Sequence, residues 1–391
     1  VDKFILILIL VGIVSGQLVQ LPIAGFSLPL IDAVILLSFL FLLTKTKFNI
    51  LRSISLKWFL GIVVVFGLSL AVNLSGLELG QALMAGAYLA RLVIYGLVGF
   101  MLVPHLKSQN MLFYLTTLGI FFLAFIAVSF LQFGLFPSFE IFEYLGWDPH
   151  QFRLVGTFFD PNFSAIFLSF GALLSVLVLL RFGLKHWQWL GLTLLSLLGV
   201  IVTTSRSGLI AVLSGMAGLI IFMRSKVGWA FLIILMMSVL LLPSFQSRIV
   251  SAFTGDSFKF RQESWQEGWQ LTKDNPIFGV GYNTLPIIRK ETVLNDELLG
   301  SHAMSGFDSS LVTISATSGF LGLGIFLVFV YLLFVGAFKK MMRKNNVFSQ
   351  WFVVGTTALF FSSIFVNAWL YPPLLACWFL MMSLSLSETN R

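Results

Sequence analysis

A few polar groups stand out from an otherwise apolar sequence, and their chemistry is the first thing to weigh. The stretch GSHAMSGFD places His302 and Asp308 at the mouth of the long apolar run that begins at Ser309. Either side chain can take a proton from an attacking hydroxyl. The plainer readings are a solvated loop histidine and an aspartate capping the helix that follows, and capping does not exclude catalysis. Arg206 lies in IVTTSRSGLIAVLSG among Thr203, Thr204, Ser205 and Ser207. A guanidinium donates two parallel hydrogen bonds and so suits phosphate oxygens; the alternative is an arginine snorkelling to the membrane interface. Arg261, Trp265 and Trp269 are four apart, which puts a cation on an aromatic helical stripe. Arg91 falls inside QALMAGAYLARLVIYGLVGF. It faces a polar cavity or pairs with an acid such as Asp32, because a charge in lipid needs a partner or a task.

The elements that must position these groups are membrane helices. The chain has 391 residues, 58% hydrophobic and only 10% charged, with a mean hydropathy of +0.98. Soluble domains carry far more charge. Runs such as LIDAVILLSFLFLL and GIFLVFVYLLFVGAF, with their flanks, are long enough to cross a bilayer core. They recur from end to end, so residues 1–391 are expected to form a single all-α polytopic membrane domain. The first run lacks an A-x-A-type cleavage site and is expected to be a first span, not a removable signal. About twelve spans are expected, near 4–22, 26–43, 58–73, 81–103, 111–135, 163–180, 188–204, 208–223, 228–244, 309–337, 348–369 and 373–387.

Placing both termini in the cytoplasm leaves most of the 24 basic residues in inner segments, as the positive-inside rule requires. The net charge of +8 is therefore spread by topology. No nucleic-acid partner is expected, since that would need the cations gathered on one face. Two loops on the external side are long, 136–162 and 245–308, the latter between spans nine and ten and expected to hold short helices. Long loops in compact proteins are often functional. In the second, Asp256 and Ser257 can start a helix and Pro276 stops it. In the first, Asp160-Pro161-Asn162 is a turn and helix-start signal, with His150 and Arg153 nearby. One cysteine, Cys377, excludes a disulfide within the chain. No metal-ligand spacing, phosphate-cradling glycine loop or nucleophile elbow is present.

Four stretches, in order, resemble the bacterial O-antigen ligase and polymerase superfamily of membrane glycosyltransferases. They are GTFFDPNFSA before the sixth span, TTSRSGL at Arg206, FRQESWQEGWQLTKDNPIFGVGYNTL with its Pro276-to-Gly281 turn, and DSSLVTISATSGFLGLG with Gly319 and Gly322. These motifs concentrate in 153–324.

The resemblance implies an enzyme that takes a glycan from an undecaprenyl-diphosphate carrier at the outer face of the bacterial cytoplasmic membrane. The acceptor is another glycan, a lipid or a protein, and membrane lipids surround the enzyme. Neither a nucleotide sugar nor a metal cofactor is implied. Arg206 and Arg261, with Arg91 as a further candidate, correspond to residues holding the diphosphate. Arg153, Asn162, Trp265 and Arg289 are candidate contacts to glycan or acceptor. Ligases carry a His at the start of the closing motif, where this chain has Asp308. That departure points away from a strict lipid A core ligase, toward a polysaccharide polymerase or a ligase to another acceptor, with Asp308 or His302 as base. A transporter or flippase for lipid-linked glycan is the alternative from a different class; it would call for internal repeats that the sequence does not display.

Overall fold

In the computed structural model the described residues are 2–23, 26–46, 53–145, 147–183, 185–223, 256–292, 306–344 and 346–387, together with Trp229, Leu232, Ile233 and Met237. Apart from those four residues, the expected ninth span lies outside them, as does His302. Hydrophobic sequence dictates helices here, because a backbone in lipid must satisfy its own polar groups. The helices are α1 (Asp2–Ser15), α2 (Leu30–Lys45), α3 (Ile54–Val72), α4 (Leu79–Leu102), α5 (Met111–Leu135), α6 (Pro161–Phe182), α7 (Trp187–Thr203) and α8 (Arg206–Met223). After them come α9 (Asp256–Asp274), α10 (Leu285–Thr292), α11 (Ser310–Lys344), α12 (Val347–Ser362) and α13 (Pro372–Leu386). Among the described residues, six helices are long and apolar enough to cross a membrane, and α7, α12 and α13 are shorter and apolar.

Helix α6 is the centre of the bundle, with 89% of its most apolar window buried, against 33–44% in the other five long helices. Its neighbours are α7, α8 and α12. It begins as the sequence predicts. Asp160 accepts hydrogen bonds from the Asn162 and Phe163 amides at 2.6 and 3.0 Å, with Pro161 at the first helical position. The Trp351 indole of α12 donates to the Phe170 carbonyl of α6 at 2.9 Å, and Trp378 of α13 to Thr356 of α12 at 3.0 Å. These two buried tryptophans thus find partners for their one donor.

Three expected spans differ from what is found. The first was expected over 4–22 and the second from 26. Helix α1 instead stops at Ser15, and an antiparallel hairpin pairs Gln20–Ile23 with Phe26–Pro29 before α2 starts at Leu30. The hairpin makes the fold mostly, not wholly, α-helical. The eleventh span was expected to reach 369, but α12 ends at Ser362. Residues 363–371 form an irregular segment that hydropathy alone hides, because it is as apolar as the helix before it.

The tenth span is a broken helix. Gly319 in α11 has φ 66° and ψ −175°, which frees backbone groups on both sides of the break. The turn after α9 takes them up. Val280 N–H donates to Ala316 O at 2.9 Å, Gly281 N–H to Thr317 O at 3.1 Å, and Phe320 N–H to Pro276 O at 2.8 Å. Ser69 Oγ of α3 adds a bond to Thr317 O at 2.7 Å. The contact leaves no room for side chains: a Cβ on Gly319 would stand 2.2 Å from Ile277 O, and one on Gly279 would stand 2.4 Å from the Thr317 carbonyl carbon. The two glycine motifs read separately in the sequence are therefore the two halves of one joint.

Candidate active site

Asp308 is held by its backbone. Its N–H donates to Ser264 Oγ at 3.2 Å, and its carbonyl accepts from Trp265 Nε1 at 3.0 Å. Both partners sit on α9. The cap of α11 is Ser309, whose Oγ accepts from Val312 N–H at 3.4 Å. The expected capping role thus passes to Ser309, and the Asp308 carboxylate stays available. Among the described residues its ion-pair partner is Arg261, with Nε 3.8 Å from Oδ2. This is an ion pair too long to be a hydrogen bond. Arg261 Nε is buried and has no hydrogen-bond partner among the described residues. The aromatic stripe accounts for its aim: Trp265 packs against Phe365 and Trp269 against Phe320 of α11, which turns the neighbouring guanidinium inward.

The electrostatics of Asp308 tie two parts of the molecule together. Its side chain is half exposed, yet the surrounding protein desolvates the carboxyl and raises its pKa above the ordinary value. Arg261 draws it back down, Asp160 pushes it up, and Arg289 and Asp148 add weaker contributions of opposite sign. Asp308 at the start of α11 thus lies within electrostatic reach of Asp148 and Asp160, both on the chain leading to α6.

That chain is tied to the turn before α8. Arg153 Nε donates to Thr203 O at 3.0 Å. Asn162 Oδ1 accepts from Ser205 Oγ at 2.7 Å and from Ser207 Oγ at 3.3 Å. Thr204 between them has φ 50°, a left-handed conformation that is costly for a β-branched residue. The strained turn places half-buried Arg206 at the first position of α8. His150, in the same loop as Arg153, has a buried Nε2 without a hydrogen-bond partner. Burial, with Arg153 nearby, lowers its pKa to about 4 and keeps the ring neutral.

Two expected ligand contacts have protein partners. Arg289 makes a bidentate pair with Glu267 at 3.0 and 3.1 Å, and NH1 reaches Gly306 O at 3.2 Å. It braces the segment that carries Asp308. Arg91 of α4 pairs with Asp32 of α2 at 2.6 Å, and Tyr95 donates to the other carboxylate oxygen at 2.8 Å. Of the two sequence readings of Arg91, this pair is the one the structure contains. Sequence reasoning passed over Glu267, Ser264, Asn367 and Tyr371. The Asn-Ala-Trp-Leu-Tyr-Pro-Pro run was the available signal for the last two, since two prolines mark a helix start and not its interior. No group of three or more His, Cys, Asp or Glu side chains that could hold a metal ion occurs among the described residues.

Long apolar helices beside a partly exposed cluster of charged side chains are what a polytopic membrane protein with a polar site would present. Residues 191–327 match the family model described as O-antigen ligase. The match covers Arg206, Arg261, Asp308 and Gly319 and supports the O-antigen ligase and polymerase superfamily for this chain. It supports a bacterial membrane glycan ligase or polymerase in general, with a lipid-linked glycan and an acceptor as substrates in general. No curated protein matches the chain.

Proposed function

We propose that this protein transfers or polymerises a glycan from an undecaprenyl-diphosphate-linked donor at the external face of the cytoplasmic membrane. The observation that carries the reading is the pairing at Asp308: a carboxyl with a raised pKa beside a half-buried guanidinium whose buried Nε has no hydrogen bond among the described residues. An acceptor hydroxyl oxygen attacks the anomeric carbon of the donor sugar, and the bond from that carbon to the diphosphate oxygen breaks. The hydroxyl proton passes to Asp308, whose raised pKa makes it a stronger base than an ordinary carboxylate. The departing undecaprenyl diphosphate gains negative charge, which Arg261 and Arg206 stabilise more than they stabilise the bound donor. In-line attack of this kind inverts the anomeric centre.

Arg153 and Asn162 contribute by fixing the Arg206 turn, Trp265 and Arg289 by fixing Asp308, and Arg91 by bracing α2 against α4. His302 is the alternative base. The test is glycan transfer in proteoliposomes. Arg206→Ala and Arg261→Ala abolish transfer while each variant inserts normally. Full activity in both variants, or transport of a lipid-linked glycan with no change in its length or attachment, overturns the reading.

A further inference from the structure

Buried polar side-chain atoms nearly always have partners, so each one without a partner calls for an explanation, and a bound group is one such explanation. Eight such atoms occur among the described residues. Two, on Ser38 and Ser196, lie within helices away from the site segments. The other six belong to His150, Thr157, Arg261, Ser318, Asn367 and Trp369. All six sit on the segments around Asp308, on the approach to α6, or on the irregular stretch 363–371. Of these six, Arg261 and Asn367 lie against the 306–308 segment that carries Asp308.

The 363–371 stretch joins these parts. Ser363 O accepts from Ser310 N–H at 2.8 Å, and Trp369 N–H donates to Ser310 Oγ at 3.0 Å, so the stretch wraps the first residues of α11. Tyr371 at its far end stacks on Phe163 of α6 with ring centroids 4.0 Å apart, and its hydroxyl donates to Phe158 O at 3.2 Å. Phe365 packs on Trp265, the residue that holds the Asp308 carbonyl. Within this apolar stretch Asn367 is the one amide side chain. It lies against Gly306, where a Cβ would stand 2.5 Å from Asn367 Nδ2. Its Oδ1 is buried without a partner.

We infer that Asn367 is a sugar-binding residue, reading neighbouring hydroxyls of the glycan held beside Asp308. This rests on the glycan-transfer reading above. An amide offers an acceptor and two donors on one plane, which matches a vicinal diol. Among the described residues its Oδ1 has no competing partner. In the free protein an unpartnered buried carbonyl is a liability; a sugar hydroxyl removes it.

The test separates binding from structure. Wild type, Asn367→Ala and the shape-conserving Asn367→Leu are purified as full chains in nanodiscs. Melting is measured without and with lipid-linked glycan isolated from a producing strain. The unliganded variants melt no lower than wild type, because the lost group had no partner. The glycan-induced rise in melting temperature, a mass-action effect, falls by more than half. KM for the lipid-linked glycan rises about tenfold, the cost of one or two hydrogen bonds. Variants that melt lower without glycan and keep the full glycan-induced rise overturn the inference and make Asn367 structural. Wild-type KM in both variants overturns it as well. A glycan-induced rise that depends on Asn367, in a wild-type protein that transfers nothing, would sustain the binding site and defeat the transferase reading.

Discussion

Arg261 and Asp308 face each other across 3.8 Å, near enough for strong attraction and too far for a hydrogen bond. The gap leaves the carboxylate able to accept a proton from elsewhere. Asp308→Asn, which keeps shape and removes basicity, is expected to lower transfer about 10²-fold or more, and Asp308→Ala to be more damaging than His302→Ala. The acid limb of the pH–rate profile should fall at a pH above the ordinary carboxylate range, because the folded protein raises this group. Arg261 opposes that rise, so Arg261→Gln moves the residual activity's acid limb to still higher pH. Initial rates across the acid range check both. A limb that moves downward would refute the assigned pair.

The Asn162 amide oxygen receives two hydroxyls from the Arg206 turn. Asn162→Ala strips both bonds and should cost about 1–3 kcal/mol of stability. Its transfer defect should approach that of Arg206→Ala. Asn162→Asp keeps the accepting oxygen and should lose much less. Melting in detergent and transfer rates on the three variants decide this.

At Gly319 the backbone is left-handed and a Cβ would stand 2.2 Å from Ile277 O. Gly319→Ala is expected to destabilise by about 2–5 kcal/mol, summing a left-handed penalty with overpacking. Gly324→Ala is the control, because nothing lies within 4 Å of a Cβ there. The readout is the fraction of monodisperse protein after detergent extraction and its melting temperature.

Asp32 and Arg91 form a close pair between α2 and α4. Removing either charge strands the other, at about 3–5 kcal/mol. Asp32→Leu combined with Arg91→Met should recover most of that loss. Melting of the two single variants and the double variant forms the cycle. If the double variant is as stable as wild type and inactive, Arg91 also has a role at the substrate.

How much of this was legible beforehand follows from what hydropathy can and cannot express. Helices α3 to α8 fall near the expected spans, because each apolar run is bounded by polar or helix-breaking residues. The 363–371 stretch has no such boundary on its N-terminal side, so the sequence merged it with α12. The α9 stripe and its stop before Pro276 were legible from spacing four and one proline. That Gly279 and Gly319 touch was not, since a contact between distant residues leaves no local pattern. Arg289 shows the same limit from another side. An arginine in an external loop reads as a ligand contact, and only the fold supplies Glu267 as its partner. The sequence weighed Asp308 as a cap, and the cap lies one residue later because α11 begins at Ser310.

The joint between the 276–281 turn and the broken helix also constrains how the chain is made. The Val280 and Gly281 amides leave the ribosome before the Ala316 and Thr317 carbonyls that will receive them. At about 5–20 residues per second the turn waits a few seconds for its socket. During that wait the aromatic stripe of α9 lacks its partner Phe320, which follows it in the chain. The two halves of α11 must then stay parted at Gly319 for the turn to bond between them. Folding of this protein therefore has a commitment point at Gly319, because a continuous α11 would bond the Ala316 and Thr317 carbonyls within itself and leave the turn without its acceptors.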